Sequence, residues 1–112
     1  MLIFAACRKQ WNATEEDMAN YGWTLFEQAS LQVDSDEQLK EYEEVRKWFE
    51  NATMEDTNYQ DGYNGLGWTY GKMSIFQTAD DEGNDLELND AINAFLIAES
   101  KPQNPRIDHN VW

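Results

Sequence analysis

A duplication constrains this chain more than any other feature. Gly22-Trp23-Thr24 recurs as Gly67-Trp68-Thr69, 45 residues further on. The spaced set Val45, Phe49 and Ala52 recurs as Ala91, Phe95 and Ala98, 46 residues further on at all three positions. Two separate matches at nearly one offset define a unit of about 45 residues, present twice with front and back halves in register. A unit of that size stacks on its copy to bury a continuous core, so a short repeat array is expected.

Periodicity says what each unit contains. Thr14 followed by Glu15-Glu16-Asp17 reads as a helix start, a hydroxyl cap with acids at the positive end of the dipole. Met18, Tyr21, Leu25, Ala29 and Val33 fall at steps of three or four and define its apolar face. Asp34 to Gln38 reads as the tip, with Ser35 and Gln38 forming a capping box for a second helix. That helix turns Leu39, Tyr42, Val45, Phe49 and Ala52 inward and Glu41, Glu43, Glu44 and Lys47 outward. A third helix is expected from near Gln60, with Tyr63, Leu66, Tyr70 and Met73 inward. The fourth runs from Leu86 or Leu88 to Ser100, with Leu88, Ala91, Ile92, Phe95 and Ala98 inward. Glycine inside a helix costs about 1 kcal/mol relative to alanine, so Gly22 and Gly67 mark where helices approach closely within each hairpin. Proline occurs only at 102 and 105, outside these helices, and no sustained two-residue alternation suggests a strand. The fold class is all-α: two antiparallel helical hairpins, stacked.

The residues resemble the tetratricopeptide repeat (TPR) family across roughly Asp17 to Asn104. Leu66, Gly67 and Tyr70 match the Leu-Gly pair and following aromatic of that family's first helix. Ala91, Phe95 and Ala98, or Val45, Phe49 and Ala52, match its second helix, and Asp56-Thr57-Asn58-Tyr59 matches its linking turn. The chain departs from the pattern in spacing. Gly22 to Val45 is 23 residues and Gly67 to Ala91 is 24, against about twelve in that family's repeat of about 34, an excess of about 11 or 12 per unit. A longer hairpin, with extended helices and a longer tip, accommodates it. The resemblance implies a short TPR-like superhelix that binds a protein or an extended peptide.

At 112 residues the chain is one small domain. Eight basic residues against 22 acidic ones give a net charge of −14, which repels a polyanion and argues against nucleic acid as a partner. Cys7 is the only cysteine, so neither an internal disulfide nor a cysteine-based metal site can form. Small residues directly before it, Ala5-Ala6-Cys7, resemble a bacterial lipoprotein processing site whose signal has lost its front. The alternative is an ordinary cysteine in an apolar terminus. On the first view residues 1–13 are signal remnant and tether, 14–104 the repeat domain, and 105–112 a tail or cap in which Ile107, Val111 and Trp112 fold back. The protein would then sit lipid-anchored at the bacterial cell envelope, outside the cytoplasm; otherwise it is cytoplasmic. No apolar run is long enough to span a bilayer.

Catalytic chemistry finds little support. His109 is the only histidine, so a two-histidine metal site cannot be assembled and a triad has no second candidate base of that type. The acidic residues 79–90 fail as a calcium loop. With Gly83 sixth, Thr78 takes the first ligand position and Asn89 replaces the twelfth glutamate. No phosphate-cradling glycine loop precedes a Lys-Ser or Lys-Thr pair. We therefore expect no enzyme, no metal and no cofactor.

Binding is the expected function. Trp23 and Trp68 hold equivalent repeat positions, where they serve either as inter-repeat packing or as a repeated aromatic shelf. Helical phase adds Asn20, Asn64 and Lys72 to that face. The family's chaperone-tail grip is excluded, because its lysine and two asparagines are replaced here by Ala19, Trp23 and Gly65. The resulting expectation is an adaptor or assembly scaffold. A homo-oligomer built by stacking open ends is the second class, and a small-ligand or sugar site on the tryptophans the third.

Overall fold

The first described helix opens on a reciprocal cap. Thr14 Oγ1 accepts from the backbone N–H of Asp17 at 3.1 Å, and the Asp17 carboxylate accepts from Thr14 N–H at 3.1 Å, satisfying two donors that the helix end leaves orphaned. A computed structural model describes residues 13–76 and 86–102. In it α1 spans Glu15–Ser30, α2 Ser35–Glu55, α3 Gln60–Met73 and α4 Leu86–Ser100, with a 3-10 turn, Ser74–Phe76, closing α3. The domain is all-α, as expected. Cys7, His109, residues 105–112 and the acidic tip as far as residue 85 lie outside the described residues. No described helix is long and apolar enough to cross a membrane.

Consecutive helices pack in turn, α1 on α2, α2 on α3 and α3 on α4, and α1 also touches α3. Two side-chain ties fix the ends. Gln38 Nε2 at the start of α2 donates to the Ala29 carbonyl at the end of α1 at 3.0 Å. Gln60 Nε2 at the start of α3 donates to the Ala98 carbonyl near the end of α4, also at 3.0 Å. The core gathers Met18, Trp23, Phe26, Tyr42, Val45, Phe49 and Leu66.

The structure corrects three local expectations. Ser35 does not cap α2: Asp34 does, its Oδ1 accepting from the N–H groups of Asp36 and Glu37. A carboxylate is the stronger acceptor, and Gln38 is drawn instead to Ala29. The buried stripe of α1 is Met18, Ala19, Gly22, Trp23, Phe26 and Ala29. Tyr21 and Val33, expected inside, are exposed; the rotation follows from Gly22, where α2 comes closest. Tyr21 instead meets the edge of Trp48 at 4.7 Å. In α3, Leu66 and Met73 are buried as expected, but Asp61, Gly62, Gly65 and Thr69 are buried with them, so its inner face is small and polar more than apolar. The Thr69 hydroxyl is satisfied locally by the Gly65 carbonyl at 2.7 Å.

Candidate functional site

The duplicated residues make the same contact twice. A Cβ added at Gly22 would lie 3.1 Å from the Phe49 ring, and one at Gly67 would lie 2.6 Å from the Phe95 ring. Trp23 meets Phe49 edge-on at 4.9 Å and 68°, and Trp68 meets Phe95 edge-on at 6.1 Å and 89°. Gly22 and Gly67 are thus the close-approach points within the two hairpins, as the repeat implied.

What lies over these contacts differs. On the first hairpin α3 covers them. Gly65 presses on Phe49 so closely that a Cβ there would run into the ring, and Gly62 faces Thr53. Asp61, fully buried, accepts the indole N–H of Trp23 on Oδ2 at 2.8 Å. Phe49 is consequently sealed. On the second hairpin the corresponding side of α4 is open: Phe95 is 37%, Leu88 47% and Ile92 50% exposed. All three were expected inside, and they would be if another helix lay on them.

One substitution between the repeats shapes this open face. Phe26 in α1 fills the corner beside Trp23, at 5.4 Å, and Tyr42, at 5.6 Å. Its counterpart 45 residues on is Gly71, and a Cβ there would meet nothing within 4 Å. The missing ring leaves a groove of about 390 Å³ between α3 and α4. Gly67, Trp68, Gly71 and Lys72 line it from α3, Ile75 from the 3-10 turn, and Leu88, Ala91, Ile92 and Phe95 from α4. Such a surface can bury apolar side chains and offers an indole and an ammonium group at its polar edge.

The expected site residues divide. Trp68 and Lys72 both line the groove. Trp23 is 6% exposed and belongs to the packing of α1 on α3. Asn20 is exposed on α1 and Asn64 half-buried on α3, and neither lines the groove. Leu88, Ile92 and Phe95, which periodicity assigned to the core, line the groove instead and are partly exposed. The signal that could have found them is the pairing of Phe26 with Gly71.

Titratable groups gather elsewhere. Burial raises the Tyr70 phenol above its ordinary value, with the Glu50 carboxylate adding to the rise and Arg46 opposing it. Burial likewise raises Tyr42, with Glu41 adding. Arg46 is engaged by Glu50 at 3.0 Å. Among the described residues no cluster of three or more His, Cys, Asp or Glu is placed to hold a metal ion. Compared with protein-family models, curated proteins and solved structures, the chain matches none.

Proposed function

We propose that this chain is a protein-binding scaffold of TPR-like type, two hairpins stacked as a short superhelix, whose α3–α4 groove receives part of another polypeptide. The observation that carries the proposal is the run of exposed apolar side chains lining that groove: Leu88, Ile92 and Phe95, with Ile75 at 75% exposure. A contiguous apolar patch beside a formed cavity is characteristic of an interaction surface. The binding set narrows to Trp68 and Lys72 with Leu88, Ile92 and Phe95. No catalytic role is proposed. Attachment at a bacterial membrane through lipid on Cys7 remains part of the reading, supported by Ala5-Ala6-Cys7 alone.

The test is affinity capture from an extract of the source organism, with the whole chain as bait and a parallel bait carrying Ile92→Asp. Ile92 is half exposed, so the change spares the core. A defined polypeptide held by the first bait and lost from the second, at equal helicity, supports the scaffold. Recovery of the bait's own chain alone from both would sink it and favour self-assembly.

A further inference from the structure

The first hairpin displays how a face of this kind is covered, and the second presents the same face open. α3 sits on α1–α2 through three features: Gly65 against Phe49, Asp61 on the Trp23 indole, and the near approach of Gly62 to Thr53. Offsets of 45 and 46 carry Trp23 to Trp68 and Phe49 to Phe95, both on the groove. We propose that the groove takes a helix of a different polypeptide carrying a carboxylate and, four residues later, a glycine, seated on α3–α4 as α3 is seated on α1–α2. The carboxylate accepts the Trp68 indole N–H, the glycine admits the Phe95 ring, and an apolar side chain from the same face fills the corner that Gly71 leaves empty. This rests on the protein-binding reading and names the ligand of that site.

Charge points the same way. Position 27 of the first hairpin is Glu, and its counterpart is Lys72, a cation that lines the groove one helical turn from Trp68. Residues 1–112 contain no free segment of that pattern. Of its six glycines, Gly65 alone has an acid four residues before it, and Asp61 is already buried within the fold. A second copy docking by α1 would bring Glu16 and Asn20 to the places of Asp61 and Gly65. The Asn20 Cβ would then strike Phe95 as any Cβ at Gly65 would strike Phe49. Residues 103–112 hold one acid, Asp108, and four residues beyond it stands Trp112.

The probe is a synthetic peptide of residues 57–73 carrying Gly67→Ala, Trp68→Phe and Gly71→Ala, which raise helicity away from the docking face and silence its indole. It is titrated into the full-length chain while the Trp68 indole N–H is followed by NMR, the resonance being assigned with a Trp68→Phe protein. The expected result is saturable binding that moves this resonance. Adding Gly65→Leu to the peptide should weaken binding by about tenfold or more, and Asp61→Asn should weaken it several-fold and shrink the indole shift. Absence of binding overturns the proposal, as does equal binding of the Gly65→Leu peptide. Doubling of the solution mass with concentration, with loss of that mass on Ile92→Asp, would assign the groove to a second copy and also overturn it. Should a captured protein depend on Ile92 while the peptide fails, the scaffold reading stands and only the ligand assigned here falls.

Discussion

The two hairpins share a Gly–Phe contact and a Trp–Phe edge contact, yet one is interior and the other is surface. Phe49 is wholly buried and Phe95 is 37% exposed, although they hold the same place in the repeat. The difference lies in the next helix: α3 covers the first pair, and no described helix covers the second. Burial at these two positions is therefore set by the helix that packs on them more than by the pattern of their own helix.

The sharpest way to break this comparison is at the paired phenylalanines. Phe49→Ala should destabilise by about 3–5 kcal/mol, since it empties a sealed position between Gly22, Gly65 and Trp23. Phe95→Ala should cost about 1 kcal/mol or less. Urea unfolding of the two variants measures both, and equal losses would mean that the second face is covered after all. Next come the tryptophans. Trp23→Phe removes the indole donor from Asp61 Oδ2 and should cost about 2 kcal/mol, whereas Trp68→Phe should stay within about 0.5 kcal/mol.

The glycines refine the contrast. Gly65→Ala drives a methyl into Phe49, and overpacking of about 1–3 kcal/mol outweighs the helix-propensity gain of about 1. Gly71→Ala meets open space, so only the gain remains and the melting temperature should rise. The smallest effect is common to both hairpins, each of which holds a tyrosine whose pKa is raised by burial, Tyr42 and Tyr70. Folding keeps these phenols protonated where the unfolded chain would release the proton. Their contribution is complete below the ordinary value of 10.0 and is lost as pH rises beyond it. Stability measured from pH 8 to 11, in units of about 0.5, should fall above pH of about 10, less steeply in a Tyr42→Phe, Tyr70→Phe double variant.

Much of this was legible in the chain. Periodicity placed the four described helices, with α1 entering after its Thr14 cap and α3 starting at Gln60, while the cap read at Ser35 belongs to Asp34. The repeated glycines marked the close approaches. The face of α1 was misjudged because Gly22 carries no apolar weight, though its lack of a side chain is what brings Phe49 in. Asp61 reads as an exposed acid in a first turn until Trp23, 38 residues earlier, is placed beside it. The α4 face was misassigned for another reason: Leu88, Ile92 and Phe95 have a buried helix's pattern, and periodicity cannot report that the covering partner is missing.

One further consequence follows from the tie between Gln60 and Ala98. α4 packs on α3 and the Ser74–Phe76 turn, and its far end is fastened by that side-chain-to-carbonyl bond and by Lys101 Nζ over the Tyr63 ring at 5.6 Å. It is thus the element able to detach without disturbing α1 and α2, an opening of lower free energy than global unfolding. Its backbone amides should exchange with deuterium ahead of those in α2, and anything seated across α3 and α4 would slow that exchange selectively. The groove would then act as a latch, with its occupant setting how long α4 stays home.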